Sequence, residues 1–525
     1  MTNTKKKSPA RRATTLLAWL DRHPVSWLLL GALLLVLSQV RFGIGALAWL
    51  VPLPWLRFLR VKRGWRSRLA FGAVVCFAWS LAFAKIITAP LPLFFAPLFA
   101  LPVAALLAIP YLLTPSLRRQ LGEAPAVIGF ISMMVAGEWL LHAALPMGTW
   151  GSAGDTQIEQ LALMQLASVT GLHGISALVY AVAATLESLI ASPSTGRVQS
   201  TAAVTVTVLL VAVGGQARLA LSTSEGTERT RVAAVGTDSH VGQGPLPTPE
   251  QIEEVNRGLF ARTRAAARAG AELVVWTEAA TMVEPEDEQA FLDEVAEVAR
   301  GQEVAVVAGY VVPEQREPLR YRNRYAFFTR TGALDHVYDK HRPVPGEPAI
   351  AGTAPLPLYE DERLGRVSGA ICYDYDCPRL GLDHAAQDVD LVALPASDWR
   401  GIDPIHTQMA SVRAIEGGHS LVRSTRFGLS AGFDPYGRPR GWLSAFDEGE
   451  RVLVMSLPRH GVTTIYGTLG DWFPLSCVVI STLLLLGAGA RRFGYARAWP
   501  TPSSPSRAAP SSTPAASSDW TSMAS

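Results

Sequence analysis

The chain has 525 residues, of which 49% are hydrophobic and only 17% charged, with a formal net charge of +3. A soluble domain carries about 25% charged residues, so these proportions exclude an ordinary soluble globular protein. The small net charge, with no basic run interleaved with aromatics, gives nucleic-acid binding no support.

Polarity is uneven along the chain. Charges are sparse before about residue 222 and dense from there to about 470, which reads as a membrane part followed by a soluble domain. Residues 1–24 form a basic start containing Lys5, Lys6, Lys7, Arg11, Arg12 and Arg22. A signal peptide begins in the same way, but further apolar runs follow directly, so the first run reads as a retained anchor. Membrane spans are expected at 25–40, 42–58, 69–87, 91–113, 126–145, 163–191 and 202–221, which makes 25–221 the transmembrane domain. An eighth span is expected at 471–490. Each is near the roughly 20 residues a bilayer requires, though the first two are short. Arg41 stands alone between those two, and one long kinked segment is the alternative there.

Basic residues set the orientation. Arg57, Arg60, Lys62, Arg63, Arg66 and Arg68 lie around the second junction, and Arg118, Arg119, Arg197, Arg491 and Arg492 mark later ones. These are alternate loops. The loop 146–161 between them holds Asp155 and Glu159 but no Lys or Arg. With the basic loops in the cytoplasm, residues 222–470 lie outside a bacterial cytoplasmic (inner) membrane. Residues 491–525, rich in Ser, Pro, Ala and Thr towards the end, are expected to form a disordered cytoplasmic tail.

In the soluble domain, strands are expected at 231–237, 272–278, 304–312, 322–329, 334–338, 367–372, 389–395, 420–424, 429–434 and 451–458. Helices are expected at 249–269, 286–300 and 407–417, the first with Ile252, Val255, Leu259 and Phe260 on one face. Strand–helix–strand alternation followed by hairpins predicts a layered α/β domain.

Three places carry chemistry: Trp276-Thr277-Glu278, Tyr338-Asp339-Lys340-His341 and Ile371-Cys372-Tyr373-Asp374. A lone Cys is more often buried and inert. Here an acid, a cation and a thiol each follow a β-rich run, and sites gather at the carboxyl ends of strands in open α/β sheets. The three form a nucleophile set. Cys76 and Cys477 lie in apolar runs. A Cys372–Cys377 disulfide would consume the thiol, and Cys377 is read as a bystander. No zinc-type Cys or His spacing and no Gly-rich phosphate loop occurs, so no metal or cofactor is expected.

These three stretches together resemble the nitrilase superfamily and its Glu-Lys-Cys triad. Several features resemble one branch, the bacterial apolipoprotein N-acyltransferases: Trp276-Thr277-Glu278-Ala279, the run Lys340–Glu347, Ile371–Asp374, His406–Ala410 with Arg413–Glu416, Arg423-Ser424-Thr425, and Leu161–Gly174 in the membrane part. The resemblance covers most of residues 25–490. Thr277 stands where the family has Pro and Asp374 where it has Glu. The Phe before Gly346 is missing, the Lys340–Cys372 interval is short, and the loop after Pro395 differs.

The resemblance implies a multi-pass helical membrane domain with a four-layer α-β-β-α sandwich. It implies transfer of a fatty acyl chain from a phospholipid, through a Cys372 thioester, to the N-terminal amine of a diacylglyceryl-cysteine lipoprotein. Glu278 is then the proton acceptor, and Lys340 with the Tyr373 amide stabilises the oxyanion. Glu347 orients Lys340 or the incoming amine. Asp374 either supports the site or caps a helix, and Trp399 either lines the pocket or only packs. His406 reads as structural, and Arg413 and Glu416 as a pair on one helix. A membrane-tethered amidase or ester hydrolase is the second reading, and an inactive lipid- or partner-binding relative the third.

Overall fold

The computed structural model describes residues 17–222, 228–242, 244–449 and 451–497, with side chains as far as 492. The expected basic stretch Lys5–Arg12 lies outside the described residues; of the expected disordered tail 491–525, residues 491–497 instead continue the helix Trp472–Arg497, and the rest lies outside the described residues.

Among the described residues six helices are long and apolar enough to cross a membrane: Trp65–Ala84, Phe95–Leu121, Glu123–Ala144, Leu172–Ala191, Thr195–Leu221 and the segment Trp472–Arg492. The first two expected spans are shorter. Val25–Ser38 has 14 residues and Pro52–Val61 has 10. At 1.5 Å per residue neither alone spans about 30 Å of hydrocarbon. They form two antiparallel pieces and not one kinked segment. Val40 (φ 50°) and Phe42 (φ 57°) reverse the chain between them, Trp55 Nε1 donates to the Leu28 carbonyl at 3.1 Å, and Arg57 pairs with Asp21. The expected span 163–191 also divides. Two short helical turns end at Gly171, whose φ of 66° breaks the helix, and only Leu172–Ala191 has spanning length. A Cβ at Gly171 would stand 2.6 Å from the Tyr466 ring, so only glycine fits both the dihedral and the space.

The basic residues of the alternate junctions converge on one end of the bundle. Glu187 is 1% exposed and accepts Arg60 at 2.7 Å and Arg118 at 3.5 Å. Glu123 accepts Arg60 at 2.6 Å and forms ion pairs with Arg118 at 3.1 Å and Arg197 at 3.7 Å. Two carboxylates thus gather arginines from three junctions of the helices, as burial of charge near hydrocarbon demands.

The α/β domain has two six-stranded sheets. The first runs in the order β12-β1-β2-β3-β4-β5 and the second β11-β10-β9-β8-β7-β6. In chain order the strands are β1 Arg229–Val235, β2 Leu273–Trp276, β3 Ala305–Arg316, β4 Leu319–Phe328, β5 Leu334–Asp339, β6 Tyr359–Asp361, β7 Gly365–Gly369, β8 Leu391–Ser397, β9 Ser420–Arg426, β10 Leu429–Phe433, β11 Pro439–Ser444 and β12 Val452–Pro458. The centre of each sheet is parallel, β1-β2-β3 and β7-β8-β9, with antiparallel strands outside.

Inward-facing Val232, Val275, Val307, Val367, Leu391 and Val422 pack the two sheets face to face. Helices Pro249–Arg268 and Glu288–Gln302 cover the outer face of the first sheet through Leu259, Phe260, Phe291 and Val295. Ile405–Gly417 covers the second through Ala410 and Ala414. The result is the expected helix–sheet–sheet–helix sandwich. β6, β11 and the helix Pro378–Ala386 were not among the expected elements. β6 has only three residues, too few to show alternation.

The domain docks on the bundle at the end opposite the arginine cluster. Val412 and Ile415 pack with Leu163, Met164, Leu172 and Ile175. Glu416 accepts the Leu172 N–H at 2.8 Å. Glu187→Gln should destabilise the protein in detergent by on the order of 3 kcal/mol, read as a lower thermal unfolding midpoint, because it leaves Arg60 and Arg118 facing each other without this buried counter-charge. An unchanged midpoint would show that Glu123 alone suffices.

Candidate active site

Glu278 and Lys340 stand just beyond strand ends and pair with each other, and the charges of both act on the Cys372 thiol. Glu278 follows β2 by two residues and is 4% exposed. Ala279, at φ 47°, turns the chain away. Thr277 is backed by Gly309, where a Cβ would meet the Thr277 carbonyl at 2.2 Å. Lys340 follows β5 and is 1% exposed.

Cys372 is 3% exposed but is not the last residue of a strand, as the sequence reading had it. β7 ends at Gly369, and Cys372 opens a 3-10 turn, Cys372–Asp376, with φ 48°. A left-handed non-glycine residue costs roughly 1–3 kcal/mol and persists only where its surroundings over-determine it. Asp374 does this. One of its oxygens accepts the Ile371 N–H at 3.0 Å and the Tyr338 hydroxyl at 2.8 Å, and the other accepts the Arg342 N–H at 2.6 Å. Asp374 therefore caps the turn and also clamps it to the strand end that carries Lys340. Tyr373 reaches outward, and its hydroxyl donates to the Pro146 carbonyl in a membrane-domain loop at 2.6 Å.

Lys340 Nζ stands 2.8 Å from Glu278 Oε1 and 2.8 Å from Glu347 Oε2. Asn323 Nδ2 donates to both carboxylates, at 2.7 and 3.0 Å. The Val344 N–H donates to Glu347 at 2.8 Å. Burial by itself disfavours the ammonium, but Glu278 and Glu347 more than offset it, and Lys340 is held well above the usual lysine range. Burial raises Glu347 and Lys340 pulls it down, with a net lowering. The Cys372 thiol donates to the Ser397 carbonyl at 3.4 Å. Burial and the negative charge of Glu278 hold it well above the usual thiol range, while Lys340 opposes them. The Cys372 thiol thus sits buried within the electrostatic reach of the Glu278 carboxylate and the Lys340 ammonium. Asn323 was not foreseen. Its only sequence signal is a neutral amide between Arg322 and Arg324 in a strand.

A second buried network, built around His406, adjoins the thiol. His406 Nδ1 is 2.7 Å from Asp398 Oδ1 and its Nε2 is 2.7 Å from Asp376 Oδ1. Arg423 holds Asp398 at 2.8 and 3.1 Å. Trp150, from the membrane domain, donates to Asp376 at 2.7 Å. Donor atoms of Cys372, Asp398 and His406 lie within 4.8 Å of one another. Both imidazole nitrogens already face carboxylates and Arg423 covers Asp398, so the cluster reads as an ion-pair network and not as a metal cradle. Burial pulls His406 down, but Asp376 and Asp398 push it up to about 9.

Trp399 packs at the domain junction, its Nε1 donating to the Ile86 carbonyl at 2.6 Å. Arg413 and Glu416 pair at 2.8 Å as expected. Cys372 and Cys377 are both free thiols, so no disulfide joins them.

The folded pKa of His406 exceeds its unfolded value of about 6.5. Its contribution is therefore complete below about pH 6.5 and is lost as pH rises through about 9. The gap in unfolding free energy between wild type and His406→Asn should be on the order of 3 kcal/mol at pH 6 and shrink towards pH 10. Unfolding midpoints in detergent across that range would measure it, and a gap independent of pH would exclude a charged His406.

Residues 31–185 match the apolipoprotein N-acyltransferase N-terminal domain model, and residues 210–466 match the carbon-nitrogen hydrolase model. The apolipoprotein N-acyltransferase of Azotobacter vinelandii is 30% identical over 455 residues, covering 81% of this chain and 83% of the relative. That of Caulobacter vibrioides is 27% identical over 465 residues, covering 80% and 84%. Among solved structures, an amidase from Nesterenkonia sp. is similar at 21% identity with a TM-score of 0.37, over 45% of this chain and 93% of that one. With both domain models matched and a relative 30% identical over 81% of this chain, the chain belongs to the apolipoprotein N-acyltransferase family.

Proposed function

We propose that the protein moves a fatty acyl chain from a phospholipid to the N-terminal amine of a lipoprotein, through a thioester on Cys372. The observation that carries this reading is the buried Lys340–Glu278 pair, 2.8 Å apart, beside a thiol on a strained turn that faces the membrane bundle. Glu278 takes the thiol proton as sulfur attacks the ester carbonyl of the lipid. Negative charge then develops on the carbonyl oxygen, where the Lys340 ammonium and the Tyr373 amide stabilise it. The glycerol oxygen leaves with the proton held by Glu278, and the acyl group remains on sulfur. The incoming amine attacks the thioester, Glu278 accepts its proton, and the thiol is released with that proton as the amide forms.

Glu347 and Asn323 keep Lys340 aimed and charged throughout. The membrane part supports a lipid donor independently, because a hydrolase of small soluble amides has no physical need of a helical bundle docked at its site. Positive charge at one end of the bundle, opposite the docked domain, supports a catalytic domain on the extracytoplasmic side of the inner membrane. No cofactor takes part in these steps.

Cys372→Ser should lower acyl transfer from radiolabelled phospholipid to a lipopeptide by several powers of ten while the protein still enters the membrane. Cys377→Ser should retain activity. A hydroxylamine-labile label on Cys372 that chases into the lipopeptide is the expected result. Release of free fatty acid or ammonia instead would make the protein a hydrolase, and wild-type transfer by Cys372→Ser would end the thioester mechanism. For sidedness, a cysteine tag placed in the loop at 447–449 should react with a membrane-impermeant maleimide in intact spheroplasts. Protection of that tag until the membrane is permeabilised would reverse the orientation.

A further inference from the structure

Among the described residues three arginines are buried: Arg413, Arg423 and Arg426. Arg413 has Glu416 at 2.8 Å, and Arg423 has Asp398 at 2.8 Å. Arg426 is 8% exposed and has no carboxylate partner among the described residues. Its hydrogen bonds go to neutral acceptors: the Ala279 carbonyl from Nη1, and the Ser397 hydroxyl from Nε and Nη2, each at 3.2 Å. A guanidinium has five N–H groups in a planar fork. Three are used, and one on each terminal nitrogen has no partner among the described residues. A buried cation without a bonded counter-charge is costly unless a ligand supplies one.

The location narrows the ligand. Ser397 accepts from Arg426 through its hydroxyl and from the Cys372 thiol through its carbonyl, at 3.4 Å. Thiol and guanidinium therefore flank a single residue. Arg426 also stands over the Phe427 ring at 4.9 Å, and Phe427 holds a left-handed φ of 57° in the turn between β9 and β10. The next residue must be glycine, since a Cβ at Gly428 would stand 2.7 Å from Asp398 Oδ2. The turn is thus fixed against the same Asp398 that adjoins the thiol. Burial lowers Arg426 to about 10, and it remains a cation at neutral pH.

We propose that Arg426 is an anion-binding, donor-selecting residue that takes the phosphodiester of the acyl-donor lipid, a reading that rests on the acyl transfer proposed above. In a glycerophospholipid the ester carbonyl and the phosphodiester hang from the same three-carbon glycerol. A carbonyl at Cys372 places the phosphate one short arm away, and the free N–H pair of Arg426 offers it the bidentate geometry that guanidinium and phosphate share. The competing role is long-range balance of Glu278 and Glu347, which would not distinguish one donor from another.

The test is made on the full chain in a neutral detergent, in a Cys372→Ala background, so that binding is read apart from chemistry. Calorimetry compares dihexanoyl phosphatidylglycerol with dihexanoylglycerol, which has the same acyl chains and no phosphate. Arg426→Gln should weaken the phospholipid about 10- to 100-fold, the range of hydrogen bonds to a charged group, and the neutral lipid by less than about threefold. Arg426→Lys keeps the charge without the fork and should fall between. It also decides the matter should the Gln variant not fold. Equal weakening of both lipids, or of neither, overturns the assignment. Absence of any acyl label on Cys372 of the wild type from phosphatidylglycerol would overturn the transfer mechanism instead, and the binding comparison would still decide Arg426.

Discussion

A lysine ammonium 1% exposed inside a protein has to be neutralised where it stands. Much of the catalytic half follows from that requirement. Two carboxylates come within 2.8 Å of Lys340, one from the end of β2 and one from the loop after β5. Both then need hydrogen bonds of their own, which Asn323 and the Val344 amide supply. Losing any member would leave a buried charge exposed to low dielectric, so the group is held as a unit. Three separate strand ends are thereby drawn to one point, and the strained turn at Cys372 is held there by Asp374.

The same rule organises the membrane half. Glu187 and Glu123 gather arginines from several helix ends, and this fixes which ends lie together. With the charged cluster at one end, the opposite end is left to contact the sandwich domain. There the contacts are tryptophan and tyrosine hydrogen bonds to backbone and to Asp376, laid over apolar packing between Ile415, Met164 and Leu172. Trp150 is the most direct of these links. It joins a membrane-domain loop to Asp376, then through His406 to Asp398, whose carboxylate adjoins the thiol.

Much of this was legible in the amino-acid order. Long apolar runs have to be helices in a bilayer, because backbone groups there have no other partners. Apolar β-branched runs separated by amphipathic helices read as parallel strands, and Glu278, Lys340 and Cys372 each sit where such a run ends. The short spans were less legible. Hydropathy marks a segment as apolar without saying where a proline pair or a left-handed residue breaks it, as Pro52, Pro54 and Phe42 do.

The sequence by itself determined the division into bundle and sandwich, the strand order of acid, cation and thiol along the chain, and the alternation of basic junctions. These follow from local periodicity and composition, which the chain carries residue by residue. Only the tertiary structure decided that Asn323 bridges two glutamates, that His406 stands charged between two aspartates, that Asp374 clamps the Cys372 turn to the end of β5, and that Arg426, alone among the buried arginines of the described residues, lacks a carboxylate. Apart from Asp398, 8 positions from His406, the partners in these contacts lie between about 20 and 150 positions apart. At such separations no local pattern encodes the pairing, and it is set only when the two sheets and the bundle close on one another.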